Sequence, residues 1–504
     1  MSVFTPPRST GRPRALASGR GPFLVAVGLA LAVFLLSWYR HATYHSSTLD
    51  LGVYDQAVWK LAHFRAPALS TIGWDAFADH LSLVLFVFVP FYWLAASPLW
   101  LLAAQAIALG LGFLALGPAL DALGLDRRWR LAFAVVYLAS PLLWNAAIYD
   151  FHPTTLAVPI LLIGLRAAAL DHRRALVLCT VGLLFLRDDL ALAAVAMVLF
   201  GSSGLPRERR RLRVALIALA LGWMLGAGVL AGVLGSDRHW AFHYGYLAAK
   251  PAGAVLHPVR SLARLLAGLW RVDNASLVLV GLLLPLGLLP AYAPRRLALA
   301  AIPALPLLAS SHSQFHSIRF HYDAFLFPFL LMAAASGVAR TRRSPAVVRN
   351  PLLAVTATLA LLVAAGPWGQ LAGPAGSPSD YRRAFALVGP DEQVMATDEA
   401  GAHLAHRDHL LLFPFALAHV VPDFPLPAKV AVTTAETAAT VDVIVVGPVR
   451  FPAQQSVAYE AFLRSPYLAD FTYVSRFGPV TVYRRTPAPA SKHSGDRLGL
   501  RLPG

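Results

Sequence analysis

Apolar blocks of 15–24 residues recur along this chain, separated by short arginine clusters. A helix that crosses a bilayer needs about 20 such residues. The pattern therefore predicts an α-helical polytopic membrane protein. Composition agrees: 57% of the 504 residues are hydrophobic and only 14% are charged. That is too little charge to clothe a soluble domain of this length, and it also excludes a disordered chain or a coiled coil.

A net charge of +17 raises the question of a nucleic-acid partner. The placement of the charge argues against one. Nearly all of the 43 basic residues are Arg, with Lys only at Lys60, Lys250, Lys429 and Lys492. They cluster between apolar blocks, where they orient helices by the positive-inside rule. The Arg bias, with heavy use of Ala and Leu, points to a GC-rich bacterial genome and so to a bacterial plasma membrane. The single cysteine, Cys179, forms no intrachain disulfide.

Arg8, Arg12, Arg14 and Arg20 precede the first block, Gly21–Trp38, and set the N-terminus in the cytoplasm, with residues 1–20 disordered. Basic clusters at 127–130, 173–174, 207–213, 295–296 and 340–343 require an even number of crossings between neighbours. The paired spans are 131–148 with 154–170, 175–187 with 189–206, 214–235 with 275–293, and 297–310 with 322–339. A last span, 351–366, completes a transmembrane domain over 21–366. Between residues 38 and 127 parity allows one crossing, which falls at 98–120. The short, Pro90-broken block at 81–95 becomes a juxtamembrane helix within a large first outer loop, 39–97. The count is about 11 spans. The blocks on either side of Arg187-Asp188-Asp189 read as two short helices meeting near the outer surface, since one long helix would bury three charges. Residues 367–485 carry alternating strand and helix signals and predict a small extracytoplasmic α/β domain, with 486–504 a disordered tail.

With this topology the outer loops collect Asp50, Asp55, Asp75, Asp79, His80, Asp150, His152, Asp188, Asp189, His312, His316, Arg319, His321 and Asp323. Acids and histidines at the ends of spans suggest a polar cavity, although water-facing loops favour such residues anyway. Asp50 is a candidate general base or helix cap, and Asp55 either a catalytic acid or part of a solvated helix face. Asp150 supplies a second carboxylate. Asp50 and Asp150 together could hold a divalent cation such as Mg, Mn or Ca, with His80 and His152 as further ligands. The spacing matches no closed zinc site. Arg187 and Arg319 are candidate phosphate ligands or local ion-pair partners. His321, Asp323, Asp188 and Asp189 are supporting polar groups. No nucleotide-binding glycine loop or Ser-His-Asp order is present.

Six segments carry a resemblance: Asp50-Leu-Gly-Val-Tyr-Asp-Gln-Ala-Val-Trp, Asp79-His80-Leu-Ser, Tyr149-Asp-Phe-His-Pro153, Arg187-Asp-Asp189, His321-Tyr-Asp-Ala324 and His403-Leu-Ala-His-Arg407. Over about 45–485 the chain resembles the bacterial membrane-protein family called domain of unknown function 2079. That family usually has Lys-Glu-Asp in place of Arg187-Asp188-Asp189, and the charge order is kept. The family in turn is similar to the glycosyltransferase C superfamily, whose members take a sugar from a polyprenyl-phosphate carrier at the outer membrane face. The resemblance implies Asp50 as general base, with Asp55 the second choice, and Asp150 as the second-loop acid. It implies Arg187 near the donor phosphate, 81–95 as a juxtamembrane helix, and an inverting displacement with polyprenyl phosphate leaving. The partners it implies are membrane lipids, a polyprenyl-phosphate sugar and an envelope glycan, lipid or protein acceptor. The acceptor would lie near the C-terminal domain. A transporter or flippase of lipid-linked substrates and a non-catalytic envelope scaffold are the competing classes. No inverted repeat of the transporter kind is visible.

Overall fold

The computed structural model describes residues 19–201, 206–234, 240, 243–341, 350–371, 376–413, 416, 440–448 and 452–486. The expected disorder of the first residues and of the tail falls almost wholly outside these. The first apolar block is one helix, Arg20–Ala42, packed along Leu99–Asp121. Gly110 permits that approach: a Cβ there would stand 2.8 Å from the Ala26 carbonyl oxygen. Small residues let backbones meet in this way where lipid gives no hydrophobic drive.

Among the described residues six helices are long and apolar enough to cross a membrane: Arg20–Ala42, Leu99–Asp121, Arg127–Ile148, Pro153–Leu170, Arg207–Val233 and Pro351–Leu371. A pair bent by 58°, Pro258–Leu269 and Asp273–Leu286, makes seven if it is one span. The other expected spans are helical but short. Arg173–Leu186 and Ala191–Leu199 are joined by the Arg187–Asp189 turn, and Pro294–Ala309 and Phe327–Arg340 have 16 and 14 residues. The block 275–293 departs most from expectation. Pro285 and Pro290 remove backbone donors and split it into π and 3-10 pieces, with Gly287 and Leu288 at positive φ. Within the first loop, Leu85–Leu94 forms a ten-residue helix despite Pro90.

The loop also holds a two-residue hairpin, β1 (Ala68–Leu69) and β2 (Trp74–Asp75). The C-terminal residues build a five-stranded sheet from β3 (Val394–Ala396), β4 (Leu410–Leu412), β5 (Val443–Val446), β6 (Phe471–Phe477) and β7 (Val480–Arg485), in the order β4-β3-β5-β7-β6. β4, β3 and β5 are parallel, and β7 closes antiparallel between β5 and β6. All five strands fall on segments the sequence marks as strand-like. Alternate residues feed two cores, as expected for a sheet covered on both faces. Met395, Leu411 and Ile444 pack with Phe462 of the helix Pro452–Leu463. Val394, Ala396, Val443 and Val445 pack with Tyr381 of the helix Pro378–Phe385 and with Tyr44. Tyr44 belongs to the first loop, so the sheet and that loop share a core.

Candidate active site

Asp50 lies in a π-helical turn, Thr48–Gly52, directly before the helix Val53–Ala62. Such turns are rare and concentrate at functional sites. The turn brings Asp50 Oδ1 within 3.2 Å of His152 Nε2, and the His152 ring stacks on His321 at 3.3 Å between centroids. Asp50, His152 and His321 each offer a ligand atom, all within 4.8 Å of one another. The Nδ1 atoms of both histidines are buried without a hydrogen-bond partner. Burial and the neighbouring His152 hold the His321 imidazole well below its ordinary pKa, so it is neutral and keeps a free lone pair. One carboxylate with two imidazoles suits a transition ion such as Mn²⁺ or Zn²⁺ better than Mg²⁺ or Ca²⁺, which prefer all-oxygen shells.

Asp150 is held apart from this trio. Its Oδ1 is ion-paired with the buried Arg40 and its Oδ2 accepts the Ser47 N–H at 2.8 Å. Arg40 and the Ser47 N–H engage the Asp150 carboxylate expected to pair with Asp50, and the groups close enough to share an ion with Asp50 are the two histidines. Asp150 acts on its backbone instead. Its φ of 109° is a strained conformation for a residue with a side chain. Gln105 splints the turn: Nε2 donates to the Ala147 and Asp150 carbonyls at 2.9 Å, and Oε1 accepts the His152 N–H at 3.0 Å. The strained turn aims His152 at Asp50.

Asp55 faces elsewhere. It is 2% exposed and accepts from Tyr92 Oη at 2.6 Å, with His406 Nε2 at 2.9 Å. A second polar group joins His80, Asp188 and Asp189, again within 4.8 Å. Leu81 N donates to Asp188 at 3.0 Å, and Arg187 forks onto Asp189 at 2.8 and 2.5 Å. Burial and Arg187 push the His80 imidazole down, but Asp79 and the bond to Asp188 outweigh them and its pKa is raised. The Tyr54 ring stands edge-on to His152. Burial raises the Tyr54 phenol against the pull of Arg187, with Asp79, Asp50 and Asp189 adding to the rise. Asp323 is buried with neither carboxylate oxygen hydrogen-bonded. Arg319 is exposed, its carbonyl accepting from Gln370.

Three residues outside the expected set shape this site: Arg40, Gln105 and Asp398. Asp398, from the C-terminal sheet region, is half-buried against the Asp50 turn, and its removal from solvent together with the Asp50 charge holds its carboxyl up at about 6. Further bonds join the same two regions. Gln56 Nε2 donates to the Arg407 carbonyl at 2.9 Å, Lys60 Nζ to the Asp408 carbonyl at 2.9 Å, and His41 stacks on His403.

The chain belongs to the family described as predicted membrane protein (DUF2079), whose model matches residues 40–460. Its fold is similar to that of ArnT from Cupriavidus metallidurans, crystallised in the apo state, with a TM-score of 0.52 at 14% identity over 92% of this chain and 97% of that one. It is also similar to the arabinofuranosyltransferase AftD from Mycobacteria, with a TM-score of 0.49 at 15% identity over 93% of this chain and 42% of that one. No curated protein matches the sequence. The likeness to ArnT is one of fold.

Proposed function

We propose that this protein is a membrane-embedded glycosyltransferase. It moves a sugar from a polyprenyl-phosphate carrier to an envelope acceptor at the outer face of the bacterial plasma membrane, by way of about 11 spans. The observation that carries this reading is the meeting of the first-loop acid, Asp50, with the second-loop His152 in a glycosyltransferase C fold. Asp50 takes the proton of the acceptor hydroxyl as its oxygen attacks the anomeric carbon. The bond from that carbon to the carrier phosphate breaks on the opposite side, and polyprenyl phosphate leaves with the electron pair. The sugar is inverted.

Asp50, His152 and His321 would hold a divalent cation, which would supply positive charge for the leaving phosphate. Arg187 is preorganised by Asp189, and its guanidinium would meet the same phosphate. The test is transfer from radiolabelled polyprenyl-phosphate sugars by the purified protein in lipid, with a membrane extract as the acceptor pool. Labelled product together with free polyprenyl phosphate supports the reading. No release from any donor contradicts it.

A further inference from the structure

The turn that carries Asp50 has a donor it cannot satisfy by itself. A helix start leaves its first N–H groups without intrahelical partners; at Thr48–Gly52 the Leu49 N–H is capped by Ser47 Oγ at 3.1 Å, while the Thr48 N–H takes its acceptor from outside the turn. One outside oxygen meets this donor and the cap. Asp398 Oδ1 lies 2.8 Å from Thr48 N, 3.3 Å from Leu49 N and 3.1 Å from Ser47 Oγ. The Thr48 hydroxyl adds a second attachment by donating to the Asp398 carbonyl. Gly401 makes room for the contact: a Cβ there would collide with the Thr48 hydroxyl.

Asp398 is itself anchored in the sheet. It opens the short helix Asp398–Gly401, directly after β3 and Thr397. Thr397 N donates to the Val445 carbonyl on β5 at 3.1 Å, and Thr397 Oγ1 accepts the Gly447 N–H at 2.9 Å. From the opposite side Ser47 is fixed by Asp150. The Asp50 turn is thus gripped between the second outer loop and a sheet residue 350 positions from Thr48.

We infer that Asp398 is a positioning residue for the transfer reaction: by holding the Thr48 N–H and the Ser47 hydroxyl at the start of the Asp50 turn, it fixes the point from which Asp50 reaches the acceptor hydroxyl. The inference rests on the glycosyltransferase reading and deepens it. The sheet then serves the site as part of its frame. A displacement of about 1 Å in a reacting group costs on the order of a hundredfold in rate, so the grip acts on turnover more than on binding. Donor affinity draws on groups that Asp398 does not touch.

The experiment compares wild type, Asp398→Ala and Asp398→Asn in proteoliposomes with the polyprenyl-phosphate sugar that wild type turns over. Asp398→Ala is expected to lower kcat about a hundredfold while the donor KM stays within about twofold, the signature of an interaction needed in the transition state. Asp398→Asn retains a carbonyl oxygen where Oδ1 stands and is expected to restore most of the lost kcat. Hydrogen exchange on the same samples reads the grip without any activity. The Thr48 amide should exchange faster in the Ala variant and at the wild-type rate in the Asn variant, with the β5 amides unchanged in both. An Ala variant with wild-type kcat overturns the inference, as does a loss that Asn fails to restore. If wild type transfers no sugar, the glycosyltransferase reading fails first. The amide rates then decide by themselves, and unchanged Thr48 exchange in Asp398→Ala ends the positioning role.

Discussion

Asp50 and Asp150 look alike in the sequence, each an acid at the outer end of a span, yet they predict different phenotypes. Asp50 is partly open and touches only His152 among its side-chain partners, so Asp50→Asn should leave the fold intact. On the proposed role as general base it should lower transfer on the order of 10²–10⁴-fold. Asp150→Asn strands a buried Arg40, and removing one partner of a buried pair costs about 3–5 kcal/mol. Its thermal midpoint in detergent should fall steeply, whatever its activity. Equal midpoints for the two variants would contradict this division of roles. The sequence exposes the acids and histidines because each interrupts an apolar pattern. It hides Arg40 and Gln105 because both lie inside or beside helices, where a polar residue gives no sign of what it bonds. His406 gives a pH test. Burial lowers its pKa, but the Asp55 carboxylate outweighs burial and raises it overall. The stabilisation is therefore complete below the ordinary histidine value near 6.5 and is lost as pH rises through the raised value. Thermal melts of wild type should fall from pH 6 to pH 9 more than those of His406→Gln, and parallel curves would contradict the pairing.

The helices and strands were largely legible, because a span or a buried strand writes its period into the sequence. The two short helices around Arg187 and the five strands of the sheet follow from charge and alternation alone. The π-turn at Thr48–Gly52 and the broken 275–293 block were not. A π-turn has no periodic signature, and Pro285 with Pro290 turns an apolar run into short helical pieces without changing its hydropathy. The packing of Arg20–Ala42 on Leu99–Asp121 depends on Gly110. Gly110→Leu should overpack that contact and cost about 1–3 kcal/mol, read as a lower midpoint than Gly28→Leu, since a Cβ at Gly28 meets nothing within 4 Å. The loop elements that bring His152 and His321 to Asp50 yield a binding prediction. Purified wild type dialysed against Mn²⁺ or Zn²⁺ should retain about one equivalent by elemental analysis, and His152→Ala and His321→Ala should retain none. Retention by both variants would place the ion elsewhere.

At the scale of the molecule, the C-terminal sheet and the first loop are one unit. Tyr44 stacks on Tyr381, Lys60 and Gln56 reach the 407–408 backbone, and Asp398 grips the Asp50 turn. No sequence pattern announces contacts between residues some 350 positions apart, which is why the sheet reads from sequence as a separate appendage. A chain ending at residue 371 should leave residues 41–70 open to proteolysis in conditions where the full chain resists, and equal resistance would show that the loop stands without the sheet. If Asp50 drives sugar transfer from a lipid phosphate, a single-turnover measurement with purified wild type and Asp50→Asn in lipid, scoring polyprenyl phosphate and glycosylated acceptor together, will show it. Both products should appear stoichiometrically with wild type, and neither with an Asp50→Asn protein that melts at the wild-type temperature. Equal turnover by the two proteins would contradict it.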